Sequence, residues 1–205
     1  PETSEGKKPV PGLAQVRDSR FNELVAMYEP KKEGPAQINI KLLPKIEENT
    51  SRELYREITD CDAICHIVRA FQDDSVYHMK GSVDPSRDIE YINSELLLHD
   101  LMFTETRLER IEKNLKSKKT KSDEEEKALL ESMKEHLEQE LPLRSFEISE
   151  EDEKTILSYP FLTRKKLLIV LNINDSDIES NIDQELKEKF KIFDIDIVKV
   201  PAQIE

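Results

Sequence analysis

A nearly unbroken apolar run, Ala63-Ile-Cys-His-Ile-Val-Arg-Ala-Phe71, is followed shortly by Val83-Asp-Pro-Ser-Arg-Asp-Ile-Glu-Tyr-Ile-Asn-Ser-Glu-Leu96. The change of period between them constrains the fold more than any other feature. The first stretch has strand length and reads as part of a parallel sheet covered on both faces. In the second the period becomes helical, and Pro85 falls in the first turn, where its missing N–H costs nothing. Leu97, Leu101, Leu108, Ile111 and Leu115 then keep a heptad seam, with Thr104 filling one position. A return helix carries Leu130, Met133, Leu137 and Leu141 and stops before Pro142. The polar connection Ser117-Lys-Lys-Thr-Lys-Ser122 is short, so the two helices are antiparallel. At ~1.5 Å per residue the hairpin is roughly 45 Å long.

Around this insertion the chain alternates. Pro1 to Pro11 is rich in Pro, Gly and Lys and reads as loop. Leu13 to Val16 is a short strand. Asp18 caps a helix with apolar positions Phe21, Leu24, Val25 and Tyr28, which ends at Glu29-Pro30. Ala36 to Ile40 alternates as a strand does. Leu54 and Ile58 suggest a helix closing near Asp60, while Lys41 to Asn49 shows no clear period. Beyond the hairpin, Ser149-Glu-Glu-Asp152 is a capping-box pattern opening a helix that runs to Tyr159. Lys165 to Asn172 is a buried strand, Asn181 to Phe190 an amphipathic helix, and Asp194 to Val200 a last strand. Strand, helical insert, strand, helix, strand is an α/β order whose crossovers favour parallel pairing. The expected division is an α/β domain over 1–84 and 149–205, interrupted by a helical hairpin over 85–148.

Composition agrees with long solvated helices on a modest core. Apolar and charged residues each make up 37% of the 205 residues, which is lean for one compact globule. The net charge of -13 argues against nonspecific nucleic-acid binding over the whole surface, though a local basic patch could still bind it. No run approaches the roughly 20 apolar residues that span a bilayer, and nothing at the start resembles a signal peptide. Cys61 and Cys65, if both lie in one strand, are about 13 Å apart, too far for a disulfide. Reduced thiols point to the cytoplasm. The start at Pro1 without Met suggests a fragment or a sequence lacking some segments.

Ligands of open parallel sheets bind beyond the carboxyl ends of strands, and Asn172-Ile-Asn-Asp175 stands at such an end. A polar turn after a buried strand is commonly only a turn. The final stretch, Val198-Lys-Val-Pro-Ala-Gln-Ile-Glu205, reads by itself as a strand running into an ordinary loop.

Four blocks, in order, resemble the YchF subfamily of Obg-like P-loop NTPases. They are Asp18-Ser-Arg-Phe with Leu24, Asp62 to Phe71, Asp84 to Leu96, and Tyr159-Pro-Phe-Leu-Thr163. The resemblance implies a mainly parallel, P-loop-NTPase-like α/β sheet with an inserted antiparallel helical hairpin, or coiled coil. It also implies ATP or GTP hydrolysis with Mg²⁺ and association with the ribosome. Asn172, Ile173, Asp175 and Ala202 then line the base pocket, with Ala202 offering a backbone N–H. The broad GTPase family carries Asn-Lys-x-Asp here and the YchF subfamily Asn-x-x-Glu. Asp175 could meet a guanine edge, but Ile173 lacks the flattened lysine stem, so base choice stays open. No Gly-x-x-x-x-Gly-Lys-Ser/Thr loop occurs in the sequence to cradle phosphates and Mg²⁺. Lys41-Leu-Leu-Pro-Lys45 stands where the family has Asp-x-Ala-Gly-Leu, and the family's TGS domain is missing. No catalytic residue is assigned.

Arg107, Arg110, Lys113, Lys116, Lys118, Lys119 and Lys121 form a basic cluster toward the hairpin tip. It either meets ribosomal RNA phosphates or is a solvated face balanced by Asp123 to Glu126. The other carboxylates of the hairpin read as surface. His66 reads as a packed core histidine, and Cys61-x-x-x-Cys65-His66 lacks the spacing of a metal motif. The alternative function is a nucleotide-independent interaction module that binds ribosome or protein through the hairpin. Pairing of hairpins between chains leaves the oligomeric state open.

Overall fold

The computed structural model describes residues 9–44, 52–73, 75, 76, 78, 80–117 and 120–202. The chain forms two compact units, Pro1–Glu57 and Ile58–Glu205.

In the first unit, strand β1 (Val10–Gln15) pairs antiparallel with β2 (Gln37–Leu42), in a register running from Val10 opposite Leu42 to Gln15 opposite Gln37. The strand begins earlier than the turn-rich Pro9-Val-Pro-Gly12 suggests, because Pro11 sits in a strand with a neighbour on one side only, where no ladder donor is needed. Helix α1 (Ser19–Tyr28) joins the strands. The Asp18 carboxylate accepts the Arg20 N–H at 3.0 Å at its start. Glu29, in the left-handed region, closes its last turn onto the Val25 carbonyl. No α1 residue is buried. The boundary between the units falls within helix α2 (Arg52–Thr59), of which Leu54, Tyr55 and Ile58 are buried.

The second unit holds a parallel sheet in the order β3-β4-β5, from β3 (Ala63–Arg69), β4 (Lys166–Asn172) and β5 (Asp196–Val200). Strand β3 ends at Arg69, short of Phe71. Its guanidinium turns back to the carbonyls of Phe71 (3.0 Å), Asp73 (2.9 Å) and Val76 (2.8 Å). One face of the sheet packs Val68, Leu167, Ile169, Leu171 and Ile197 against Ile89, Leu186 and Phe190. These three come from helix α3 (Pro85–Ser117) and from helix α6 (Ile182–Lys189) with its C-cap.

Helix α3 runs antiparallel to α4 (Lys121–Glu138). The heptad seam is buried where expected: Leu97, Thr104 and Ile111 are at most 7% exposed, and Leu97 and Ile111 share one cluster with Leu130, Met133 and Leu137, flanked by Leu101, Leu108 and Leu115. Thr104 satisfies its hydroxyl on the Asp100 carbonyl at 2.8 Å. Helix α4 starts inside the polar run, because Thr120 caps it by accepting the Asp123 N–H at 3.2 Å. Helix α4 stops at Glu138, before Leu141, since Glu140 takes a φ of 61° and turns the chain out of the helix. Ser149 caps α5 (Glu150–Ile156) through the Asp152 N–H at 3.1 Å. The Asp152 carboxylate returns to the Ser149 hydroxyl at 2.7 Å rather than to its backbone.

Candidate functional site

The register places Arg69, Asn172 and Val200 side by side at the carboxyl edge of the sheet. The Ile173 N–H donates to the Val200 carbonyl at 3.1 Å, extending the pairing one step beyond β4. Past this point the two strands open into the 3₁₀ turn Asp175–Asp177 and the Pro201–Ala202 loop. The loops meet: the Ala202 N–H points at Asn172 Oδ1 at 3.4 Å.

The four residues named from sequence do not all present side chains there. Asn172 is half-buried, and Asp175 and Ala202 are exposed. The Asp175 carboxylate makes no hydrogen bond or ion pair among the described residues. Ile173 is 4% exposed and belongs to the sheet core, so the period of two that exposes Asn172 turns Ile173 inward. Its side chain does not line the rim. The Ala202 N–H, expected to be offered to a base, is directed at Asn172 instead.

Lys199, missed in the sequence, braces the turn. Its ammonium reaches the carbonyls of Ile178 (2.8 Å) and Ser180 and the Asp183 carboxylate (3.2 Å). Burial would raise the Asp183 pKa, but hydrogen bonds from Lys199 and Lys187 outweigh it and hold the carboxyl below its usual range. The signal was a lone lysine in an apolar final strand.

A second polar assembly, also missed, lies at the other end of β4. The Asp100 carboxylate, 0% exposed, accepts the N–H groups of Leu162 (2.9 Å) and Thr163 (2.7 Å) and the Thr163 hydroxyl (2.7 Å). Thr163 Oγ1 in turn accepts the Leu143 N–H at 3.0 Å. Arg144 donates to the Thr163 carbonyl (3.2 Å), Asn93 Oδ1 (3.0 Å) and the Phe193 carbonyl (2.6 Å). Burial lowers its pKa to about 10, opposed by Asp194 and Asp100, so it stays charged at neutral pH. Farther along the hairpin, Arg107 binds both oxygens of Glu126 (2.6 and 2.9 Å), and the Tyr159 hydroxyl donates to the same carboxylate. Burial, then Glu126, pushes the Tyr159 hydroxyl up to about 12. Asp100 and Glu126 thus correct the reading of hairpin carboxylates as surface. Asp100 stands three residues after Leu97 and four before Thr104, on the buried stripe.

Of the basic cluster, Arg107 is half-buried in its pair with Glu126. Arg110, Lys113 and Lys116 are exposed and hold no ion pair among the described residues. Lys121 is exposed beside Glu125 at 3.1 Å, and Lys118 and Lys119 lie outside the described residues. A cavity of about 360 Å³ opens at the amino-terminal edge of the sheet, lined by none of Asn172, Ile173, Asp175 and Ala202. Its cations are already engaged, Arg164 with Glu153 at 2.7 Å and Lys165 with the Cys61 carbonyl at 2.6 Å. Both cysteines are free thiols. Among the described residues no group of three or more His, Cys, Asp or Glu could hold a metal ion, and no helix is long and apolar enough to cross a membrane.

A parallel three-stranded sheet, an inserted helical hairpin and polar loops meeting at the strand ends define an α/β architecture of the P-loop-NTPase kind. Comparison with known proteins names the kinship. The chain is 34% identical over 204 residues to the ribosome-binding ATPase YchF of Bacillus subtilis, matching 95% of this chain and 56% of that protein. It is 32% identical over 168 residues to Obg-like ATPase 1 of Caenorhabditis elegans, matching 79% of this chain and 42% of that one. The solved YchF GTPase of Schizosaccharomyces pombe superposes with a TM-score of 0.78 at 25% identity, over 95% of this chain and 56% of that one. No protein-family model matches. The chain is a relative of the YchF and Obg-like ATPases, and it spans about half the length of the curated relatives it matches.

Proposed function

We propose that the chain is a purine-nucleotide-binding, ribosome-associated member of this group. Asn172, Asp175 and Ala202 form the base-binding rim at the carboxyl edge of an α/β domain, and the hairpin over 85–148 serves as an inserted arm. The observation that carries the reading is the meeting of the two strand-end loops at Asn172 and Ala202, in a chain whose relatives are named as ATPases and a GTPase. Asn172 keeps its amide N–H groups for a ligand, while its oxygen faces Ala202. An ionised Asp175 only accepts hydrogen bonds, which matches the paired N–H donors on one edge of guanine and opposes the ring nitrogen that adenine presents there. Guanine is therefore the better partner. Hydrolysis with Mg²⁺ requires a phosphate-binding loop that these 205 residues do not contain. No catalytic step is assigned to the residues present. Ribosome association carries over from the relatives' names, with Arg110, Lys113, Lys116, Lys118, Lys119 and Lys121 as the contact with RNA phosphates. Two free thiols support a cytoplasmic location.

Titrating the chain with GTP and ATP while following the amides of Asn172, Asp175 and Ala202 by NMR tests the rim. Saturable shifts confined to these loops are expected, with GTP the tighter ligand; no shift with either nucleotide would refute the base-binding role. A second reading rests on the exposed, unpaired Arg110, Lys113 and Lys116: an arm that binds the ribosome without nucleotide. Co-sedimentation with ribosomes that is identical with and without GTP selects it.

A further inference from the structure

We infer that Asp100, Thr163 and Arg144 are positioning residues for the strand-end rim, which fix where β4 and β5 begin, set Asn172 against Ala202, and make arm and rim one rigid body. The inference rests on the purine-binding reading and names the residues that hold its rim in place.

Four parts of the chain converge at this node: α3 through Asn93 and Asp100, the 3₁₀ turn Leu143–Ser145 after α4, the entry to β4 at Leu162 and Thr163, and the entry to β5 at Phe193. Asn93, Asp100 and Thr163 are at most 3% exposed. Both Asp100 oxygens are engaged, Oδ1 also lying 3.1 Å from His99 Nδ1. No buried side-chain N or O atom among the described residues lacks a hydrogen-bond partner. Such a network has no slack, because shifting the hairpin against β4 would leave a charge or a donor unpaired where water does not reach. Thr163 stands in the turn that enters β4, closed by the Lys165 N–H on the Leu162 carbonyl at 3.2 Å, and the roughly 20 Å of extended chain from Lys166 to Asn172 is held by β3 on one side and β5 on the other. It therefore carries a displacement of its start to its end. At that end the contact between the loops is long, 3.4 Å, so a small displacement makes or breaks it.

The test is GTP titration of the full chain, well below its unfolding temperature, where a loss of stability alone leaves Kd unchanged. Thr163→Val removes both hydroxyl hydrogen bonds and should weaken GTP at least five-fold. Thr163→Ser restores the hydroxyl and should bind within two-fold of the parent chain. Ile156→Val, which lowers stability from within the hairpin cluster, should leave Kd unaltered. If Thr163→Val does not fold, Arg144→Lys, which keeps the charge but loses the planar fork, is held to the same five-fold criterion. A Kd within two-fold of the parent in the folded variant, despite a lowered Tm, overturns the positioning role alone. Failure of the parent chain to bind GTP removes the purine reading and this inference with it.

Discussion

The two ends of β4 are built from opposite material. At its start, Thr163 is fully buried and its N–H, hydroxyl and carbonyl are all engaged with Asp100, Leu143 and Arg144. At its finish, Asn172 shares one long hydrogen bond with Ala202, and Asp175 stands in solvent. A saturated buried network resists change, whereas unsatisfied polar groups at an open edge are what a ligand can use. The contrast separates residues that hold the fold from residues available for binding within a single strand.

The sharpest way to break the contrast is at the buried end. Asp100→Ala strips the carboxylate from three donors and should cost about 3–5 kcal/mol, read as a lower urea midpoint; a change under about 1 kcal/mol would mean that the node is not closed. Acid should act next. Burial pushes His66 down to about 4, opposed by Asp88, so the folded pKa lies below the unfolded value of about 6.5. The unfolded chain then takes up more protons, and stability complete above pH 6.5 is lost as pH falls toward 4. By pH 5 the loss is about 2 kcal/mol. It should vanish in His66→Gln, and a parent chain equally stable at pH 7 and pH 5 would contradict it. At the open end the expected effects are on binding. Asp175→Asn should weaken GTP about ten-fold, which corresponds to roughly 1.4 kcal/mol, spare ATP, and leave stability within about 0.5 kcal/mol. Smallest in stability is the tip. Replacing Lys116, Lys118, Lys119 and Lys121 with Ala should leave Tm nearly unaltered while weakening ribosome co-sedimentation and flattening its salt dependence.

Periodic features were legible in the sequence. The spacing of Leu97, Thr104 and Ile111 gave the seam, the Ser149 and Asp18 patterns gave helix starts, and the apolar runs gave β3 and β4. These depend on local chemistry and on a repeat that needs only one chain segment to be read. Asp100, Glu126 and Arg144 were not legible as a group, since their partners stand 19 to 63 residues away in sequence. The antiparallel pairing of β1 with β2 was hidden for another reason: the connecting stretch, with its helix, is long enough for a parallel crossover as well. At the rim, the strand end pointed to Asn172 and Asp175. The inward turn of the Ile173 side chain was not legible from motif position and follows from the alternation of faces that carries it into the core.

The length of α3 has a geometric consequence. Seventeen residues separate Asp100 from the helix end at Ser117, about 25 Å of straight rod at ~1.5 Å per residue. Because Asp100 is pinned to Leu162 and Thr163, the rod has no hinge at its base, and the direction set there decides where the far lysines stand.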